Sequence, residues 1–223
     1  MTTKYIIHAC EERLKYVENY LIPSMIEQGI SDSAIELCCD DYHIGNLSRC
    51  MEIFSTMTGD GGAWHLQDEI VICRKFKEIT ESYDDGKTIV CGFVWDKDVN
   101  VDYVGYVEPQ YMWTFPCIYI PNHMARGCAE WFYNKASKDP KYKLWVMENR
   151  YDDYFFQEYI KTYYPTIEVL NLKPNLVDHI DYLLGGTLVD KWRKDYQVRA
   201  AWFEDLDLVE ELERKMNEDN YGK

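Results

Sequence analysis

Tyr5-Ile6-Ile7-His8-Ala9-Cys10 is the stretch that decides how the chain is read. It is short and mostly apolar, as a buried strand is. A helical pattern follows at once, with Leu14, Val17, Leu21 and Met25 on one face. Pro23 should bend or divide that helix, and Gly29 is a natural stop. The same alternation then repeats. Ala34 to Cys39 reads as a second strand, ending in Asp40-Asp41, and Gly45 opens a helix with Leu47, Cys50, Met51, Phe54 and Met57 at helical spacing. After the loop Thr58-Gly59-Asp60-Gly61-Gly62 comes a third strand, Ala63 to Leu66, running into Gln67-Asp68-Glu69. Phe76, Ile79 and Tyr83 mark another helix, closed by Asp84-Asp85-Gly86, and Thr88 to Val94 a fourth strand. Strand and helix alternating over the first 95 residues argue for an α/β fold with a mainly parallel, helix-covered sheet.

The pattern changes downstream. Residues 96 to 135 are rich in Tyr, Trp, Pro and Gly, show no clean helical period, and read as strands and long loops. Asp152-Asp153 opens a helix carrying Phe156, Tyr159, Ile160 and Tyr163, since acids at a helix start are favoured by capping and by the dipole. Thr166 to Leu170 is a late strand. Residues 204–223 hold eight acids and three bases, and Leu208, Leu212 and Met216 give them an amphipathic helix with a solvated acidic face.

Composition bounds the function. With 24 Lys+Arg against 39 Asp+Glu, the 223 residues carry a net charge of −15, which argues against a broad phosphate-binding face. An aromatic content of 15% excludes disorder, and no apolar run is long enough to span a membrane. The apolar stretch in MTTKYIIHACEERLK is too short for a signal peptide, and none of the eight cysteines forms a C-x-x-C pair. Buried thiols in a cytoplasmic protein are the expectation, in the host cytoplasm if the chain is viral. Gly86-Lys87-Thr88 lacks the earlier glycine of a phosphate loop, where Glu81 stands instead, and neither a dinucleotide fingerprint nor a nucleophile elbow occurs.

Polar groups gather at the suspected strand ends: His8 to Arg13, Asp40-Asp41, Gln67-Asp68-Glu69 and Asp96-Lys97-Asp98. In an open α/β sheet ligands bind beyond the carboxyl ends of the strands. Acids sharing such a crevice repel unless a cation or bound donor joins them, and hard divalent ions commonly bridge carboxylates to substrate phosphates. A nucleotide-diphosphate substrate held through a metal fits that pattern. The plainer alternative is that each acid caps a helix or solvates a loop.

The segment Gly61-Gly62-Ala63-Trp64-His65-Leu66-Gln67-Asp68-Glu69-Ile70-Val71-Ile72-Cys73 resembles the stretch around the acidic metal motif of GT-A fold glycosyltransferases. It is most similar in pattern to bacterial and phage relatives of the lipooligosaccharide and procollagen galactosyltransferase families. Lys173-Pro174-Asn175-Leu176-Val177-Asp178-His179, followed by Leu184-Gly185-Gly186, is similar to the Pro-Ser-Leu-Val-x-His segment late in such enzymes, and Arg13 fits their early arginine. The resemblance spans roughly residues 4 to 203. It implies a Rossmann-like GT-A domain over 1–203, with a donor half of about 1–98, a mixed acceptor half of about 99–203, and a separate acidic helix over 204–223.

The resemblance also implies roles. His8, Ala9, Arg13, Asp40, Asp41, Gln67 and Asp68 would bind a nucleotide-sugar donor, a UDP-sugar above all. Asp68, Glu69 and His179 would hold Mn2+ or Mg2+, with Glu69 a departure from the usual Asp. Asp152 or Asp153 would be the general base toward an acceptor hydroxyl on a glycan, a protein or hydroxymethylated DNA. Tyr103, Tyr106, Tyr111, Trp113 and Phe115 would offer an acceptor platform. A nucleotidyltransferase and a catalytically silent nucleotide-sugar-binding module are the competing classes.

Overall fold

The inner strands Lys4–Cys10 and Gly62–Gln67 are mostly apolar because helices cover both of their faces, whereas the edge strand Ile35–Asp40 is only partly buried. The computed structural model describes residues 3–83, 85–95, 104–112, 115–149, 151–186 and 198–219. Asp84, Asp96-Lys97-Asp98, Tyr103 and Trp113 lie outside them. The strands are β1 (Lys4–Cys10), β2 (Ile35–Asp40), β3 (Gly62–Gln67), β4 (Ile70–Ile72), β5 (Ile89–Cys91), β6 (Gly105–Val107), β7 (Cys117–Pro121), β8 (Val169–Asn171) and β9 (Val177–His179). Seven of them form one sheet in the order β2-β1-β3-β7-β5-β8-β6, and β4 pairs separately with β9. β1 runs parallel to β2 and β3; β7 is antiparallel to both β3 and β5; β5 is parallel to β8, and β6 antiparallel to β8. So β1, β2, β3, β5 and β8 point one way, and only β6 and β7 oppose them. This is the mainly parallel α/β sheet that the alternation implied.

The pleat sends alternate residues to two cores. Ile6, Ala63, Ile89 and Cys91 face one cluster, while Tyr5, Ile7, Trp64, Leu66 and Val90 face the other. The first is covered by α3 (Asn46–Thr56), α5 (Asn122–Asn134) and α7 (Asp152–Tyr163), which supply Phe54, Trp131 and Phe156 among others. The second is covered by the helical run after β1, by α4 (Phe76–Ser82) and by α8 (Leu206–Glu218), whose Val209 and Met216 are buried. Arg74 fastens the start of α8 through Asp205, at 2.6 Å, and Asp207.

Pro23 divides its helix in an unusual way. A 3-10 turn (Glu11–Arg13) leads into α1 (Leu14–Tyr16), then a π turn (Val17–Leu21), then α2 (Ile22–Glu27). A proline ring clashes with the carbonyl four residues before it, and the wide turn just upstream relieves that clash without ending the run. Gly29 then turns at φ +82°, where a side chain would be strained.

One helix departs from the expectation of strands and loops over residues 96 to 135, namely α5, and a short α6 (Lys143–Glu148) follows it. Met124, Ala125, Cys128, Ala129, Trp131 and Phe132 are the buried face of α5, a helical period hidden by a mid-helix glycine and three consecutive aromatics of modest helix propensity. All eight cysteines are unbridged, and six are buried. No helix among the described residues is long and apolar enough to cross a membrane.

Phe156 sits fully buried between Phe54 and Phe115, edge-on to both at 5.6 and 5.5 Å. Phe156→Ala is expected to cost about 3–5 kcal/mol in urea unfolding. A loss below about 1 kcal/mol would mean that α7 does not pack on the sheet as described.

Candidate active site

The chain reverses direction across β1: the first crossover places β2 on one side and the next places β3 on the other. Such a switch point opens a crevice at the carboxyl ends of the strands. There the structure has a cleft of about 350 Å³, lined by His8, Ala9 and Cys10 of β1, Asp40 of β2, Gln67 of β3 with Asp68 and Glu69 just beyond, together with Glu12, His43, Gly45, Asn46 and Arg49. Five of the expected donor-binding residues therefore converge: His8, Ala9, Asp40, Gln67 and Asp68. Arg13 and Asp41 are not among the lining. Arg13 is buried behind the cleft and Asp41 is exposed outside it.

Three of the four acids that line the cleft, Asp40, Asp68 and Glu69, have a defined task. Asp40 accepts the backbone N–H groups of Ile44 at 2.9 Å and Gly45 at 3.0 Å, closing the loop that leads into α3. Asp68 accepts the Cys10 N–H at 2.8 Å and so ties the β3 end to the β1 end. Burial, then repulsion from Glu69, raises the Asp68 carboxyl to about 7 against the pull of Cys10 and Arg13. Glu69 reaches away from the cleft floor to two cations. Its Oε1 lies 2.9 Å from His179 Nε2, and its Oε2 lies 3.5 Å from Arg13 Nη2. Arg13 donates onward to the carbonyls of Leu184 and, at 2.5 Å, Gly186. His179 Nδ1 faces Asp181 at 3.4 Å. Burial alone lowers the His179 pKa, but the carboxylates of Glu69 and Asp181 overcome it and raise it to about 10. His179 is thus a charged link between two acids.

Of the expected metal set, Glu69 and His179 are brought together, but as members of an ion-pair chain, while Asp68 turns to the Cys10 N–H. A hard cation needs carboxylate oxygens and, from histidine, a free lone pair. Glu69 already sits between Arg13 and His179, and both His179 nitrogens face carboxylates. Among the described residues no three His, Cys, Asp or Glu side chains form a group able to hold a metal ion. The donor set as folded does not fit Mn2+ or Mg2+.

Asp152 and Asp153 do open α7, yet neither lines the cleft. Asp152 is buried one residue behind it and accepts a 2.8 Å hydrogen bond from the Asn46 side chain. Burial raises its carboxyl to about 6, opposed in part by backbone hydrogen bonds and by Asn46. Asp153 accepts the Tyr154 N–H at 2.7 Å. The aromatic platform is not assembled at the cleft either: Phe115 is core, while Tyr106 and Tyr111 are exposed elsewhere.

Sequence reasoning missed Asn46, Arg49 and Asn149. Asn149, at φ +51°, takes the Leu47 N–H on its backbone oxygen and the Ser48 N–H and hydroxyl on its side chain, capping α3 from a distant loop. Gly45 left α3 without a capping side chain of its own, and that was the available signal. His8 Nε2 also meets His65 Nδ1 at 2.9 Å, a part-buried imidazole pair held neutral; desolvation, with Arg49 adding, lowers His8 to about 4.

No protein family matches the chain, and no curated protein does. Among solved structures it is similar to HddC from Yersinia pseudotuberculosis, with 10% identity, 56% of this chain and 79% of that one covered, and a TM-score of 0.32. It is also similar to the glycosyltransferase GlyE of Streptococcus pneumoniae, with 8% identity, a TM-score of 0.37 and 78% of this chain covered, but only 46% of that chain. Superpositions this loose carry no functional argument.

His179 gives a test of the ion-pair chain. A pKa raised from 6.5 to about 10 on folding contributes stability that is full below 6.5 and lost as pH rises toward 10. His179→Gln is therefore expected to cost about 3 kcal/mol near pH 6 and progressively less up to pH 10, read by denaturant unfolding of both proteins across that range. A cost that does not change with pH would show His179 to be uncharged in the fold.

Proposed function

We propose that the protein is a nucleotide-sugar glycosyltransferase whose donor lies in the cleft at the ends of β1, β2 and β3. The observation that carries this reading is the convergence of His8, Asp40, Gln67 and Asp68, from three separate strand ends, on one crevice. The resemblance of Gly61 to Cys73 and of Lys173 to Gly186 to GT-A enzymes supports it, because both segments meet at the Glu69–His179 contact.

The reaction breaks the bond between the anomeric carbon and the diphosphate oxygen and forms one to an acceptor hydroxyl, whose proton is lost. Asp68 and Gln67 offer an acceptor oxygen and an amide to the hydroxyls of the donor. The Asp40 loop presents its edge to the nucleoside. Asp152 is a positioning residue: by accepting from the Asn46 amide it leaves the Asn46 carbonyl oxygen free for a hydroxyl in the cleft. UDP-sugars are the donors to try first, and the acceptor is a hydroxyl on a glycan, a protein or a modified DNA base.

Incubation with UDP-, GDP- and dTDP-sugars is expected to release a nucleoside diphosphate and no pyrophosphate. Asp68→Asn should lower that release by about a hundredfold while leaving the melting temperature within a few degrees of the wild type. Pyrophosphate release would establish nucleotidyl transfer instead, and full activity in Asp68→Asn would remove the β3 end from the site.

A further inference from the structure

The donor reading raises the question of what meets the negative charge of a diphosphate in an acidic chain, and the inference drawn here rests on that reading. Three of the four carboxylates that line the cleft are already engaged, and the fourth, Glu12, is exposed. Both oxygens of Asp40 are taken by backbone N–H groups, Asp68 binds the Cys10 N–H, and Glu69 is held by Arg13 and His179. Arg13 cannot swing aside cheaply, because its guanidinium is also fixed to the carbonyls of Leu184 and Gly186. A divalent ion at Glu69 would therefore sit beside a permanent like charge. The α3 N-terminus does not offer open amides either, since Asn149 covers those of Leu47 and Ser48.

One cationic group remains. Arg49 is the single Lys or Arg among the residues that line the cleft. It rises from the first turn of α3, close enough to help keep His8 neutral. One Nη reaches Glu52 at 3.0 Å, while its Nε is buried with no partner among the described residues. A buried N–H without an acceptor is costly, and a ligand oxygen would satisfy it. Guanidinium donors arranged as a planar fork match phosphate oxygens in both geometry and charge.

We infer that this cleft receives the diphosphate of its donor on Arg49 and without a divalent cation, Arg13 and His179 having taken over the neutralisation of Glu69. Arg49 is then a binding residue for the leaving group, and Glu69 serves as the counter-ion that holds Arg13 and His179 in place.

Calorimetric titration of the full chain with UDP, GDP and dTDP, once in EDTA and once in manganese, tests this. At least one nucleotide is expected to bind in EDTA with an affinity that manganese does not change. Arg49→Gln should weaken that binding about tenfold or more, the loss of one charge-assisted hydrogen bond, and Arg49→Lys should weaken it less. Thermal denaturation of both variants checks that they fold, as the partly exposed position of Arg49 leads one to expect. Binding that requires manganese overturns the inference while leaving the donor site standing. Undiminished binding by folded Arg49→Gln overturns the role of Arg49. Failure of all three nucleotides to bind in either buffer overturns the donor reading and the inference with it.

Discussion

A carboxylate with little exposure must find positive partners or lose its charge, and Glu69 finds two. Arg13 comes from the segment just after β1, and His179 from β9, 110 residues away in the chain. The β4–β9 pairing sets Ile70 opposite His179, so the residue that follows Glu69 is fixed by backbone hydrogen bonds to the strand that carries its partner. Tyr16 adds a 2.6 Å bond to the Ile70 carbonyl from the other side. The turn between β3 and β4 is thereby held from three directions, which leaves Asp68 aimed at the Cys10 N–H and at the cleft. A buried ion pair of this kind contributes modestly to net stability, because desolvation offsets its Coulombic gain. Its value here is geometric: breaking any one member strands the others.

That same constraint keeps Glu69 from adding an unpaired negative charge to the crevice of so acidic a protein. The net charge of −15 is spread over exposed faces, including α8, whereas Asp40, Asp68 and Glu69 at the cleft are tied to backbone N–H groups or into ion pairs. Asp68, lifted to about 7, carries only part of a charge at neutral pH. The neutral His8–His65 pair fills the space beneath without adding a cation, and Arg49 stands out as the local source of positive charge. The field that a ligand meets in the cleft is set by these few groups and not by the composition of the chain.

The strand–helix alternation of the first 95 residues was legible in the sequence because its signals are local. Tyr5 to Cys10, Ala34 to Cys39 and Ala63 to Leu66 are apolar runs that end in polar clusters, and each became a parallel strand feeding the cleft. α5 was illegible because Gly127 and the run Trp131-Phe132-Tyr133 weaken its propensity, and its stability comes from packing against α3 and α7. Gly127 is there for close approach: an added Cβ would fall 2.1 Å from the Tyr159 hydroxyl. In the site, spacing could place Asp68 beside a crevice but could not show which way its neighbours turn. That Glu69 faces Arg13, that Asp152 accepts a hydrogen bond from Asn46, and that Asn149 caps a helix about a hundred residues upstream are all tertiary facts. Arg49 escaped notice because a single arginine on an amphipathic helix looks like any solvated residue.

The account stands or falls on whether the ends of β1, β2 and β3 receive a nucleoside diphosphate. Amide hydrogen exchange, measured with and without saturating nucleoside diphosphate, reads this directly. Slowed exchange is expected in three separated segments, Ala9 to Glu12, Asp40 to Arg49 and Gln67 to Glu69, with α8 and the groove between Tyr20 and Leu212 unchanged. Protection confined to that groove, or absent from all three segments at saturation, would contradict it.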